Sequence, residues 1–302
     1  PEMSYTVKPN DEIIILAEDD STIAYKKSKL FEPTEFSIIN KKRKKTTEKE
    51  LIIGWNSKAS IIISEYTDYI LSGSTIDIIL TKEEEKAMGS LKDLKKQYPN
   101  INIRVLKYNP MEMKDLEKIK PYQYDNVILL NRIEDDMEKI DSTTITILLL
   151  IKEVFKRYTE KTGKEVTTQL ITEVMNSENL ELIAKTGVND SIISYRMISK
   201  IFAQVAENPD ILQVYDDLFS EEGSEIYLKP LSLYLQNIPE SCTFADLMLI
   251  AQKRGEVLLG YRFKEYESDV KQNFGVFVNI PKDTVIHPQA EDHMVVLSED
   301  EL

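Results

Sequence analysis

Two histidines, one cysteine and several clusters of carboxylates make up the whole obvious chemical inventory of this 302-residue chain. His287 and His293 both lie near the end. No Ser/His/Asp order, nucleophile elbow or His-Glu-x-x-His helix accompanies them. His293 reads as a structural or surface residue, and an enzyme is not expected. Cys242 has no second cysteine to pair with, so disulfides and Cys-x-x-Cys metal sites are ruled out. It precedes an apolar helix and is expected to be packed rather than reactive. The carboxylates are the more interesting group. Glu134, Asp135, Asp136 and Asp141 follow an apolar stretch at 126–130, and hard cations such as calcium take six to eight oxygen ligands, often from several carboxylates. These four are the candidate metal ligands, although none of the clusters has EF-hand spacing. A solvated acidic loop is the competing reading, as it is for Glu18, Asp19 and Asp20 and for Glu221, Glu222 and Glu225.

A second candidate site lies at the end of the first apolar run, where Gly54-Trp55-Asn56-Ser57-Lys58-Ala59 leads into a helix. A dinucleotide loop needs three glycines: for the turn, for approach of the pyrophosphate and for helix packing. Only Gly54 is present, and Trp55 and Asn56 crowd the approach. A NAD site of the usual kind is therefore not expected. A helix N-terminus still attracts anions, so Gly54, Trp55, Asn56, Glu83 and Asn131 are taken as the lining of a ligand cleft.

The elements that must position these residues alternate. Short apolar strands are predicted at 51–54, 75–80, 101–106, 126–130 and 166–171, with a sixth at 191–194. Helical spacing is predicted at 57–69, 83–97, 111–119 and 143–158. Strands separated by helices of this length build parallel βαβ units. The fold class is α/β: a Rossmann-like parallel sheet with helices on both faces, then a helical crossover and a smaller α+β C-terminal lobe. The crossover is two apolar stripes either side of Asn208-Pro209, where proline removes a backbone donor. Ile201, Phe202 and Val205 lie on the first, and Ile211, Tyr215 and Phe219 on the second. These six are the expected hinge and subunit contact, with an intrachain core as the competing role. The C-terminal lobe is predicted as a strand at 225–229, a helix at 244–254 and strands at 256–262 and 294–297.

A repeat frames the chain. Residues 11–20 (DEIIILAEDD) and 292–301 (DHMVVLSEDE) share Asp11/Asp292, Leu16/Leu297, Glu18/Glu299 and Asp19/Asp300. Each reads as a turn carboxylate, a short buried strand and an acidic exit. The implied organisation is 1–20 as the tail of a preceding domain, 21–50 as a linker, 51–193 as the Rossmann-like lobe, 194–222 as the crossover and 223–302 as the C-terminal lobe. The basic run at 41–45 suits a solvated linker, with anionic lipid as the competing contact.

Composition narrows the partners. The formal net charge of −14 repels phosphate backbones, so nucleic acid is not an expected partner. Hydrophobic content of 42% is ordinary for a globular protein. No run reaches the roughly 20 apolar residues of a membrane helix, and the start lacks a signal peptide, so this piece is expected to be soluble.

The order of several motifs is familiar. Ile52-Ile53-Gly54-Trp55-Asn56 opens the lobe, followed by Leu71-Ser72-Gly73-Ser74, Asp141-Ser142-Thr143-Thr144 and Thr172-Glu173-Val174-Met175. Then come Val205-Ala206-Glu207-Asn208, Glu222-Gly223-Ser224-Glu225-Ile226 and the stretch from Arg254-Gly255-Glu256 to Gly260-Tyr261-Arg262. The chain resembles the cytosolic regulatory region of the Castor/Pollux family of ion channels, which is similar to domains regulating potassium conductance. The resemblance implies a ligand-sensing gating domain of a potassium or calcium channel, on the cytoplasmic face of a membrane. It implies a dimer of the fragment, a tetrameric ring in the full channel, the pore domain of the same protein as partner and calcium as a ligand in some members. Two alternatives remain: a nucleotide-binding regulatory subunit of a potassium uptake transporter, which usually keeps the glycine-rich loop, and a nucleotide-dependent enzyme.

Overall fold

The computed structural model describes residues 5–17, 34, 36–39, 41, 45–80, 88–131, 137–174, 190–192, 194–220, 223–267 and 269–299. The chain forms two compact units, residues 45–211 and residues 1–44 with 212–302.

The first unit is a six-stranded sheet. Its strands are β1 (Lys49–Ile53), β2 (Thr75–Ile79), β3 (Asn102–Leu106), β4 (Asn126–Leu129), β5 (Gln169–Glu173) and β6 (Asp190–Ile192), in the order β3-β2-β1-β4-β5-β6. Every neighbouring pair is parallel. This is the order of the doubly wound nucleotide-binding fold, whose ligands sit outside the carboxyl ends of the strands. The two-residue alternation of a strand sorts the core. Leu51, Ile53, Val127 and Leu129 face α3 (Met113–Ile119) and α4 (Met137–Thr162), through Leu116, Ile119, Leu148 and Ile151. Ile52, Ile76, Ile78 and Ile128 face α1 (Ala59–Tyr69) and α2 (Met88–Gln97), through Ala59, Ile63, Leu91 and Leu94. Helices α5 (Ser194–Glu207) and α6 (Ile211–Leu218) follow, and the division between the units falls at the start of α6.

The second unit is built on an antiparallel sheet of order β10-β9-β12-β7, from β7 (Glu225–Pro230), β9 (Val257–Arg262), β10 (Val276–Val278) and β12 (His293–Ser298). A two-stranded ribbon of β8 (Cys242–Thr243) and β11 (Val285–Ile286) accompanies it. Helix α7 (Phe244–Gln252) starts at a capping box: Thr243 Oγ1 accepts from Asp246 N, and Asp246 accepts from Thr243 N. Such a cap contributes about 1 kcal/mol. Leu247, Ile250, Tyr261, Met294 and Val296 form the core.

Three expectations are corrected. The expected linker at 21–50 holds structure: Ile38 bridges Leu235, Ile39 N donates to Tyr234 O at 2.8 Å, and Phe36 and Ile38 pack on the second core. The alternation of apolar residues there is that of a strand edge. Strand β1 begins at Lys49, inside that linker. The first copy of the repeat is no buried strand; Ile14 is 74% exposed. A strand needs hydrogen-bonding neighbours, and the place between β9 and β7 is taken by β12.

The repeat survives in its turns. Lys8 N donates to Asp11 Oδ2 at 2.7 Å and Gln289 N to Asp292 Oδ2 at 2.8 Å. Asp11 N returns a bond to Lys8 O at 3.1 Å and Asp292 N to Gln289 O at 3.2 Å. A tyrosine hydroxyl caps each, Tyr5 on Asp11 and Tyr261 on Asp292, both at 2.9 Å.

Candidate functional site

The candidate cleft lies at the carboxyl edge of the parallel sheet. β1 must stop there and turn into α1 while β4 passes close by. Gly54 makes that possible, with φ +94°, and a Cβ on it would stand 2.4 Å from Leu130 O. The backbone bonds Gly54 N to Ile79 O (3.1 Å) and Leu130 N to Ile53 O (2.9 Å) hold the three strand ends together.

Asn56 and Asn131 then knit the edge. Buried Asn56 donates through Nδ2 to Asn131 O at 2.8 Å and accepts through Oδ1 from Lys58 N at 2.9 Å. Buried Asn131 donates to Glu173 O at 3.1 Å and accepts from Thr144 Oγ1 at 2.8 Å. One chain of side-chain bonds therefore crosses from the β1 turn to β4, α4 and β5. Trp55 packs against the α1-side core.

Lys58 decides the electrostatics. It precedes α1, and a cation at a helix N-terminus costs a few tenths of a kcal/mol or more unless an anion balances it. Its ammonium pairs with the Glu173 carboxylate from the end of β5. In a phosphate-binding loop the helix N-terminus receives the ligand's phosphate. Here the protein's own carboxylate meets the lysine that stands at that point.

Of the expected cleft residues, Gly54, Trp55, Asn56 and Asn131 are at this edge, and Glu83 lies outside the described residues. Of the expected metal ligands, Glu134, Asp135 and Asp136 also lie outside them, and Asp141 is buried at the start of α4. Among the described residues no group of three His, Cys, Asp or Glu side chains converges as a metal site, so the described residues by themselves do not supply calcium's ligand set.

The helix pair keeps much of its apolar surface uncovered. On α5, Ile201 and Val205 are half-buried and Phe202 is 71% exposed; beyond α6, Phe219 is 56% exposed. Ile211 and Tyr215 are half-buried, and the Tyr215 and Phe219 rings stack with centroids 6.0 Å apart.

A polar network in the second unit escaped the sequence. Lys229 is 2% exposed on β7, and its Nζ lies 3.0 Å from Glu256 Oε1. Arg254 Nε lies 3.5 Å from the same oxygen, while its Nη1 donates to Leu233 O at 2.7 Å and its guanidinium stacks 4.5 Å from the Tyr234 ring. Tyr234 donates its hydroxyl to Glu256 Oε2, and burial raises the Tyr234 pKa far above its ordinary value. Two buried cations thus share one carboxylate. The visible signal was a lone lysine in Ile226-Tyr227-Leu228-Lys229 and the Arg254-Gly255-Glu256 triplet.

The chain is 28% identical to the ion channel POLLUX of Lotus japonicus over 297 residues, covering 88% of this chain and 32% of that one. It is 26% identical over 294 residues to the ion channel DMI1 of Medicago truncatula, covering 88% and 33%. It is 25% identical over 303 residues to the ion channel CASTOR of Lotus japonicus, covering 89% and 34%. The chain is similar to the Castor/Pollux ion channels. It spans about a third of the length of these relatives. No family model matches. The fold resembles the human SLO3 gating ring, with a TM-score of 0.56 and 14% identity, covering 84% of this chain and 44% of that one. No described helix is long and apolar enough to cross a membrane. The Gly54-Trp55-Asn56 turn and the Arg254-Gly255-Glu256 triplet, quoted as Castor/Pollux-like, carry the two polar networks above.

Proposed function

We propose that the chain is a ligand-sensing gating domain on the cytoplasmic side of a Castor/Pollux-like cation channel, with no reaction of its own. The observation that supports it best is similarity to ion channels along 88% of the chain. Its sheet offers a ligand edge, and its helix pair offers apolar surface for assembly. Occupancy of the edge would favour one arrangement of the elements that Asn131 ties together. A ligand can shift that equilibrium only by its difference in affinity for the two states. Calcium is the first ligand to try, because Glu134, Asp135, Asp136 and Asp141 follow β4 in the sequence. Residues 1–20 belong in this reading to the tail of a preceding regulatory domain, which the matched turns at Asp11 and Asp292 support. The fragment would dimerise through Ile201, Phe202, Val205, Ile211, Tyr215 and Phe219, and form a tetrameric ring beneath the pore domain.

A transporter subunit of the nucleotide-binding kind, or a nucleotide-dependent enzyme, would need to take a phosphate at the start of α1, where Lys58 already pairs with the Glu173 carboxylate. A thermal-shift screen with calcium, magnesium, NAD, NADH and ATP separates these readings, since a ligand of the folded state raises Tm by mass action. Stabilisation by calcium alone is expected. Stabilisation by NADH or ATP alone would overturn the proposal.

A further inference from the structure

The opposite, amino edge of the parallel sheet holds a buried acid outside the candidate cleft. Glu50 on β1 is 0% exposed. Its Oε1 accepts from Asn126 Nδ2 of β4 at 3.2 Å, and its Oε2 has no partner within bonding distance, the Tyr66 hydroxyl of α1 reaching the carboxylate only through a longer, weaker interaction. Each element packed around it contributes. From α1, Tyr66 donates its hydroxyl to Glu48 Oε2 at 2.9 Å and accepts from Asn126 Nδ2 at 3.3 Å, so its one proton goes to Glu48. Glu48 lies just before β1, with its backbone N bound to Ser74 Oγ beside β2 at 3.0 Å. Asp125, just before β4, accepts from Lys49 N at 2.8 Å. The Lys49 ammonium is turned away onto the Tyr124 ring, 4.4 Å from its centroid.

An ionised carboxylate with one bare oxygen in a dry site carries the full cost of its lost hydration. Calcium or another divalent ion does not fit as the remedy, because no three such side chains converge among the described residues. A proton does. We propose that Glu50 is a proton-binding site where α1 packs on β1 and β4, so that the packing of this helix on the sheet loosens as the proton leaves.

The electrostatics agree with the geometry. Burial raises the Glu50 pKa most, hydrogen bonding from Asn126 and the weaker interaction with the Tyr66 hydroxyl lower it, and the charges of Glu48 and Asp125 raise it again, leaving it at about 7. Burial first, then the charges of Glu50 and Glu48, keeps Tyr66 protonated throughout. The sign follows. A group whose folded pKa lies above its unfolded value contributes stability that is complete below about pH 4.5 and lost as pH rises through about 7.

The test is thermal melting of this chain from about pH 5.5 to about pH 8.5, with infrared detection of a protonated carboxyl, for the wild type, Glu50→Gln and Glu48→Gln. The wild-type Tm should fall as pH rises toward about 7 and level off above it. Glu50→Gln, a neutral mimic of the protonated state, should lose that fall and the carboxyl C=O band seen near neutrality. Glu48→Gln removes a neighbouring charge and should move the fall to lower pH. An unchanged fall in Glu50→Gln, a flat wild-type profile or the absence of the band would each overturn the proposal. So would a Tm rise on adding potassium chloride that disappears in Glu50→Gln, which would make the site one for a metal cation. If Glu50→Gln fails to fold, the band and the Glu48→Gln shift still decide.

Discussion

Replacing Asn131 with leucine should do more harm than the loss of one surface amide. Its two side-chain atoms serve two buried partners, Glu173 O at 3.1 Å and Thr144 Oγ1 at 2.8 Å, while its backbone oxygen holds Asn56 at 2.8 Å. Leucine keeps the backbone bond and removes the other two. The Glu173 carbonyl keeps its other contacts, among them a long one from Thr172 Oγ1 at 3.4 Å. The Thr144 hydroxyl is left without this acceptor in a buried position. Each stranded buried group costs about 1–3 kcal/mol, and part of the Glu173 cost is already met, so about 2–4 kcal/mol is expected. In a unit of this size that lowers Tm by ~5–15 °C. The asymmetry between one missing partner and two gives a sharper check. Adding Thr144→Val removes the stranded hydroxyl, so the double variant should lose less than the sum of the singles, with a coupling of about 1 kcal/mol or more. Urea unfolding followed by circular dichroism measures all three. An Asn131→Leu variant within ~0.5 kcal/mol of wild type, or strict additivity with Thr144→Val, would refute the tied edge.

Gly54→Ala must place a Cβ 2.4 Å from Leu130 O at φ +94°; a loss of at least ~2 kcal/mol in urea is expected. In the second unit, Glu256→Gln should cost about 3–5 kcal/mol, because it removes the carboxylate that buried Lys229 and Arg254 share. Lys229→Met should cost less, since Glu256 keeps Arg254 and Tyr234; the reverse order in denaturant midpoints would count against the shared carboxylate. Phe202→Asp, at an exposed helix position, should leave Tm nearly unchanged but lower the assembly mass in light scattering. An unchanged mass would remove the helix pair from the subunit contact.

Long periodic segments could be read before any coordinates. The strands expected at 75–80 and 126–130 appear as Thr75–Ile79 and Asn126–Leu129, and the helix at 57–69 as Ala59–Tyr69. Continuous apolar runs bounded by turns carry that information because both sheet faces are buried. The fifth strand starts three residues and ends two residues later than expected, at Gln169–Glu173 rather than 166–171, since Thr167 and Thr168 extend the β-branched run in either direction. Strands β8, β10 and β11, with two or three residues each, are too short to show alternation. The site residues divide the same way. Gly54 announced a turn by its type, and Asn56 and Asn131 were flagged as cleft lining, but their bond to each other spans 75 positions. Lys58 with Glu173, and Lys229 with Glu256, were invisible for the same reason: pairing depends on which strand ends the topology brings together. Nor could local pattern show that Ile13 to Leu16 would stay exposed, because a strand is defined by its neighbours.

Currents through a CASTOR channel whose matching segment is replaced by residues 1–302 of this chain test the central proposal most directly. Calcium would be stepped on the cytoplasmic side of an excised patch, with the intact segment compared against the Phe202→Asp and Asn131→Leu variants. The expected result is an open probability that moves with calcium for the intact segment and moves less for both variants. A chimera that assembles and conducts, yet opens identically at every calcium level with intact and altered segments, would contradict it.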